Sequence, residues 1–215
     1  MGSPEVIIRL MARAQEIEQI VPGISIWQVY EPAVKAELFS TALRTDAGVY
    51  LVDPISLAAH ALADLHASGE IIGIFATNAN HGRASAEFVR EFSVPIHVHH
   101  SLAETPEFAG AIGVDDGQTL AGALTAMAVD GGAAGEMALH CSQDGGTIVI
   151  GDALINFEPH GFGLLPAKYC LDPKLMRRSL RKLLDYSFDR IFFAHGTPIL
   201  LGARARLEQL LDGDK

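Results

Sequence analysis

Two rhythms of apolar residues alternate along the chain. At the start, Val6, Ile7, Leu10, Met11, Ala14, Ile17 and Ile20 fall on one face of a 3.6-residue repeat, which predicts a peripheral helix over 4–20, within an N-terminal element 1–22 that stops at Pro22-Gly23. Three short strand-like runs follow at 24–30, 37–44 and 49–52. Turn signals at Pro32 and Asp46-Ala47-Gly48 separate them, so the region predicts antiparallel hairpins. Asp53-Pro54 ends the third run. Ser56 is placed to cap a helix carrying Leu57, Ala61, Leu62 and Leu65, with Gly69 closing it. A strand at 71–76, a helix at 83–92 and a strand at 94–98 complete a β-α-β-α-β passage, and 101–117, with Pro106 and several glycines, reads as irregular.

The pattern then repeats in outline. Hairpin-like runs at 119–129, 136–141 and 147–150 are joined by Gly131-Gly132 and Asp144-Gly145-Gly146. Asp172-Pro173 opens a helix with a stripe of Leu175, Met176, Leu180, Leu183 and Leu184; a strand at 190–194 and a helix at 203–211 follow. Hairpins followed by β-α units, twice over, predict an α/β fold of four layers. Two mixed sheets pack face to face with helices outside, an αββα sandwich, in one domain over 23–215.

Composition narrows the function classes. The 215 residues are 49% hydrophobic and 20% charged, which suits a globular domain with a sizeable core. A formal net charge of −10 argues against a nucleic-acid partner, because backbone phosphates demand a basic footprint. Cys141 and Cys170 alone form no disulfide framework. With no apolar run of membrane-spanning length and no signal-like stretch, the expectation is a cytoplasmic protein without a membrane partner.

Three apolar strands each end by delivering polar groups. The run 147–150 hands over Gly151-Asp152, the run 190–194 leads into His195-Gly196-Thr197-Pro198, and the run 71–76 leads into Thr77-Asn78-Ala79-Asn80-His81-Gly82-Arg83. Strand exits of α/β proteins are where sites are usually built. On the residues alone, Asp152 is either a site carboxylate or a turn cap, and His195 either a ligand or a loop histidine.

In order and spacing these segments, with Leu51-Val52-Asp53-Pro54, resemble the metallo-β-lactamase superfamily, in a degenerate form, from Trp27 to Leu211. The family's strand-to-helix loop reads Thr-His-x-His-x-Asp-His. Matching the following helix entry, Ala84-Ser85-Ala86-Glu87-Phe88, puts His81 on the last histidine and Asn80 on the aspartate. Matching from Thr77 without a gap instead puts Asn78 and Asn80 on the first two histidines. The first register keeps a ligand and the helix phase and is preferred. Gly132 stands where the family has its mid-chain histidine. The resemblance therefore implies that one of two metal positions is lost. The other would keep His81, Asp152 and His195, with Asn80 as a weak neutral ligand.

Two imidazoles and a carboxylate suit one divalent metal: zinc, or iron or manganese. The resemblance implies a metal-dependent hydrolase, with Asp152, His81 and His195 as catalytic residues, acting on an ester, thioester or lactone-type small molecule. The rival is a lapsed enzyme that binds a small molecule or a protein partner without metal. Arg83 reads as a cation that pairs with Asp152 and replaces absent metal charge. His97, His99 and His100 read more simply as solvent-facing strand residues than as a metal tract. For His160 and Tyr169, after the site strand, a place over the pocket is the lesser reading. The basic stripe Lys174, Arg177, Arg178, Arg181 and Lys182 reads as a solvated helix face. The apolar N-terminal helix packs either in cis or across a homodimer.

Overall fold

The computed structural model describes residues 12–121, 123–157 and 161–213. Strands β1 (Glu18–Val21), β2 (Ile24–Glu31), β3 (Ala36–Thr45) and β4 (Gly48–Val52) pair antiparallel in chain order. Helix α1 (Ala59–Ala67) crosses to β5 (Ile71–Phe75), and α2 (Ser85–Phe92) crosses to β6 (Ile96–His99). These strands and β7 (Ile112–Val114) pair parallel, which completes a seven-stranded mixed sheet.

The second sheet begins with β8 (Thr119–Leu120), β9 (Leu124–Ala128), β10 (Met137–Cys141) and β11 (Thr147–Ile150), all antiparallel. A separate hairpin, β12 (Leu154–Phe157) and β13 (Gly161–Leu164), precedes α3 (Pro173–Arg181). Strand β14 (Arg190–Phe193) then joins β11 in parallel, and α4 (Ala203–Asp212) ends the fold.

The period-2 pattern of the strands sorts side chains into three apolar layers. Phe39, Leu43, Val52 and Phe75 of the first sheet meet Leu124, Met137, Val149 and Phe192 of the second. Behind the second sheet, Ile148, Ile150 and Ile191 pack on Met176, Leu180 and Leu207 of the helices. Behind the first, Trp27, Leu51 and Ile74 pack on Ala61, Leu65 and Phe88. Within β11 the sides alternate residue by residue, and all four β-branched side chains are buried because both faces are covered. The αββα sandwich of two mixed sheets is the observed fold, and no helix among the described residues is long and apolar enough to cross a membrane.

Both sheets contain a parallel pair that ends flush. Val52 lies opposite Phe75, and Ile150 opposite Phe193. All four strands therefore release the chain at one edge of the sandwich. There the sheets are stitched together by Phe39 N–H to Ala194 O at 2.9 Å and Met137 N–H to Thr77 O at 2.7 Å.

Several expectations need correction. The helix expected over 4–20 does not run through its described part: Ala14 bridges Leu57 and 18–21 is an edge strand, while 1–11 lies outside the described residues. The turn at Pro22-Gly23, with Gly23 at φ +78°, folds this segment back onto β2, whose free edge satisfies its backbone groups. Ser56 does not cap α1, which starts after Ala58; its hydroxyl donates to Glu87 of α2 at 2.8 Å. The irregular stretch 101–117 hides β7, and the β12–β13 hairpin had no periodic signal. His97 is buried and stacked on Phe75, with centroids 4.9 Å apart, not solvent-facing.

The basic stripe of α3 is not simply solvated. Arg177 donates to the carbonyls of Leu210 and Leu211, Arg181 to Leu211 O and Asp212, and Lys182 to Asp116. Two of its arginines thus satisfy the open carbonyls at the end of α4. Replacing Arg177 by Met is expected to lower stability by about 1–2 kcal/mol, read from the urea midpoint, whereas Arg178→Met on the exposed side should change it by less than about 0.5 kcal/mol.

Candidate functional site

Asp53 is the first group past β4. It is 2% exposed and sits at φ +50°, a left-handed conformation that a non-glycine residue adopts at a cost. The turn points its carboxylate across to the end of β5. Thr77 N–H donates to Oδ1 at 2.8 Å and the Thr77 hydroxyl to Oδ2 at 2.7 Å. Nδ1 of His81 lies 2.8 Å from the same Oδ2. The loop 77–81 is therefore clamped to β4 through one buried carboxylate.

That clamp aims His81. With Nδ1 directed at Asp53, Nε2 faces the opposite way and lies 3.2 Å from Asp152 Oδ1. His195 repeats the arrangement from the other sheet: Nδ1 is 3.2 Å from Glu37 O, and Nε2 is 3.2 Å from Asp152 Oδ1. The three ligand atoms of His81, Asp152 and His195 lie within 4.8 Å of one another. An outer acceptor on each Nδ1 that frees Nε2 for the centre is the usual outer-shell arrangement of histidines that hold a metal. This donor set fits one divalent ion.

Asp152 reaches this point because Gly151 is small. A Cβ on Gly151 would stand 2.5 Å from Thr77 Oγ1 and 2.6 Å from Glu136 Oε1, so only glycine lets β11 pass between them. At the other strand exit Gly196 has φ +111°, and a Cβ there would be 2.0 Å from Asn156 O.

Of the two loop asparagines, Asn78 and not Asn80 turns inward. Asn80 is exposed, and its backbone N–H donates to Asn78 Oδ1 at 2.8 Å. Asn78 is fully buried; its amide donates to Glu136 Oε2 at 2.8 Å and to Asp152 Oδ2 at 3.1 Å. Glu136 in turn accepts from Ala153 N–H at 3.0 Å. Arg83 does not hydrogen-bond to Asp152. Its Nη1 donates to Phe39 O at 2.6 Å and Asp53 O at 3.1 Å, and its Nη2 lies 3.3 Å from His81 Nε2 and 3.5 Å from Ala194 O.

The charges follow from these contacts. Burial alone would raise the Asp152 carboxyl, yet hydrogen bonds from His195 and His81 hold it far below the usual carboxylate range. Burial likewise opposes the charged form of Asp53, and His81 and then Arg83 outweigh it. Burial opposes the His81 imidazolium too, but the Asp53 charge dominates and carries its pKa to about 9. Glu136 goes the other way: burial first, then the nearby Asp152 charge, push its carboxyl to about 8. Burial draws the Arg83 guanidinium below its ordinary value, against the pull of Asp53 and Asp152.

A cavity of about 170 Å³ adjoins the site through Glu136, with His99, Ser101, Asp130, Gly135 and Leu171 among its other walls. Tyr169 is 61% exposed, with the Lys168 ammonium 4.6 Å over its ring, and Leu171 rather than Tyr169 lines that cavity. His100 pairs with Asp115 at 2.9 Å and His99 with Ser101, away from the cluster. His160 lies outside the described residues. Sequence reading missed Asp53, Thr77, Asn78 and Glu136 as site residues. Asp53 and Thr77 did carry a signal, since each directly follows an apolar strand, as Asp152 nearly does.

A model of the metallo-beta-lactamase superfamily matches residues 19–213. No curated protein matches the chain in sequence. Among solved structures, the DIM-1 metallo-beta-lactamase is similar at 12% identity and TM-score 0.72, over 95% of this chain and 100% of that one. A metallo-beta-lactamase family protein from Thermus thermophilus is 22% identical with TM-score 0.64, over 91% of this chain and 80% of that one. An archaeal superfamily protein from Sulfolobus tokodaii is 15% identical with TM-score 0.61, covering 82% and 79%. At these identities the likeness to solved structures is one of fold.

The shifts set a pH profile for the metal-free chain. The depressed Asp53 and Asp152 stabilise the fold above a pH near 4 and lose that contribution as pH falls further. The raised His81 stabilises fully below its ordinary 6.5, and the contribution is lost as pH rises through about 9. Glu136, protonated in the fold up to about 8, makes stability decline from about pH 4.5 upward. In chelator, the melting temperature is expected to peak near pH 5 and fall toward pH 9, and Glu136→Gln should flatten the slope between pH 5 and 8. A wild-type profile that rises from pH 5 to 8 would contradict these assignments.

Proposed function

The chain belongs to the metallo-β-lactamase superfamily, and from that membership we propose that it is a metal-dependent hydrolase with a single divalent ion, acting on an ester, thioester or lactone-type small molecule. The observation that carries the reading is the convergence of His81 Nε2, Asp152 Oδ1 and His195 Nε2 within 4.8 Å, each histidine set by an acceptor on its Nδ1. A divalent ion held there would supply a water of pKa about 7 and polarise a carbonyl oxygen. Two imidazoles and one carboxylate suit zinc, iron or manganese.

The chain's own groups do the rest. Asp53 and Glu37 O fix the two imidazole rings, so the donors need no reorganisation when an ion arrives. Asp152 turns one carboxylate oxygen to the histidines and the other to the Asn78 amide, which fixes its orientation. His195, with 17% of its side chain exposed against 4% for His81, marks the side from which a substrate approaches. Asn80, pointing to solvent, leaves the fourth position free for water or substrate.

A second reading has one observation in its favour. Asn78, near where the family has loop histidines, is spent on Glu136 and Asp152, which fills one of the family's two metal positions with hydrogen bonds. In that reading the chain binds a small molecule or protein partner without metal.

Metal content by plasma mass spectrometry, on protein incubated with zinc, iron or manganese, is expected to be near one ion per chain in the wild type and near zero in Asp152→Ala. On a panel of esters, thioesters, lactones and β-lactams, turnover should require the metal, and His195→Ala should lower it by about 100-fold or more. No metal uptake together with a flat panel would overturn the hydrolase reading and leave the second.

A further inference from the structure

Arg83 is the one feature of the site that the donor set does not require. It sits at the loop exit with φ +38°, a backbone conformation that arginine adopts only under constraint. Its guanidinium is held by three carbonyls, those of Phe39 within β3, Asp53 just after β4 and Ala194 just after β14. The geometry leaves it no freedom to turn away. Held so, Nη2 lies 3.3 Å from His81 Nε2, the same atom that faces Asp152.

A guanidinium keeps its charge at any pH the protein meets. A fixed cation thus stands 3.3 Å from the atom that a metal would take, in a site where burial leaves little water to screen its charge from an incoming ion. The Arg83 guanidinium brings positive charge to the buried Asp53 and Asp152 carboxylates without an ion.

We propose that Arg83 is an internal counter-cation that competes with the metal for His81 and sets the threshold of metal uptake. It keeps the site assembled while empty and makes the ion bind weakly. The proposal rests on the reading of His81, Asp152 and His195 as the metal-holding face, and it goes further by assigning a regulator of that face within the same chain.

Zinc affinity, measured by competition with a chromophoric chelator, decides the matter alongside melting curves in chelator. Arg83→Met is expected to bind zinc at least about tenfold more tightly than the wild type, to melt lower when metal-free, and to regain that loss when zinc is added. Arg83→Lys, which keeps the charge, should bind as weakly as the wild type. A merely structural arginine would give the opposite sign, since a loosened site binds zinc less well. Folded Arg83→Met with unchanged or weaker affinity overturns the proposal, while the metal reading survives if His195→Ala abolishes binding in the same assay. If neither protein binds zinc at millimolar concentration, both readings fall. Should Arg83→Met not fold, the nitrogen NMR signal of the Arg83 side chain in wild-type protein answers instead: it must shift during a zinc titration, and a stationary signal with zinc bound overturns the competition.

Discussion

The buried carboxylate of Asp53 is the contact on which the rest of the site depends. It accepts from the backbone and hydroxyl of Thr77 and from His81, while its own carbonyl accepts from Ser40 and Arg83. One residue therefore joins β3, β4, the end of β5 and the loop before α2. A carboxylate so deep survives only because both its oxygens accept hydrogen bonds and two cations stand beside it. Removing it would strand a buried imidazole and a buried guanidinium together, which costs more than the loss of any single bond.

Around that hub, two of the six described non-glycine residues with positive φ and two crowded glycines meet. Asp53 and Arg83 both occupy the left-handed region, and Gly151 and Gly196 are the positions where a Cβ would strike a neighbouring strand exit. The flush ends of the two parallel pairs bring these four points to one edge, and the cross-sheet bonds from Phe39 and Met137 hold them there. The apolar layers supply the stability that such strain draws on.

Most of the fold was legible because its elements obey simple periods: β2, β3, β4, β5, β10 and β11 lie where alternation or continuous burial put them. The N-terminal segment misled because Ala14, Ile17 and Ile20 fit a helical face, while the free edge of β2 decided its described part. Strands β7, β12 and β13 were too short to show a period. In the site, His81, Asp152 and His195 could be placed by strand exits and family order, and they do converge. The preferred register put Asn80 at the site, whereas it is Asn78 that turns inward, because Glu136 from the other sheet holds its amide. Asp53 and Glu136 reach the loop through contacts with Thr77 and Asn78, 24 and 58 residues away along the chain, to which local spacing is blind.

The two halves of the site differ in the kind of neutrality they reach, and only one half gathers a donor set that fits an ion. Around Asn78 the partners are an amide, a backbone N–H and a carboxyl that burial and Asp152 keep protonated up to about pH 8, so the space is closed by hydrogen bonds between nearly neutral groups. Such a network is full: each polar atom has a partner, and an ion entering it would have to displace them all. Around Asp152, whose carboxyl stays far below the usual carboxylate range, two imidazoles share one carboxylate oxygen, and that of His195 is partly open to solvent. The Arg83 guanidinium stands beside them, and the contacts that hold the rings lie on their other nitrogens, at Asp53 and Glu37 O. The site thus has a closed polar half that braces Asp152 and a more open half where His81, Asp152 and His195 converge.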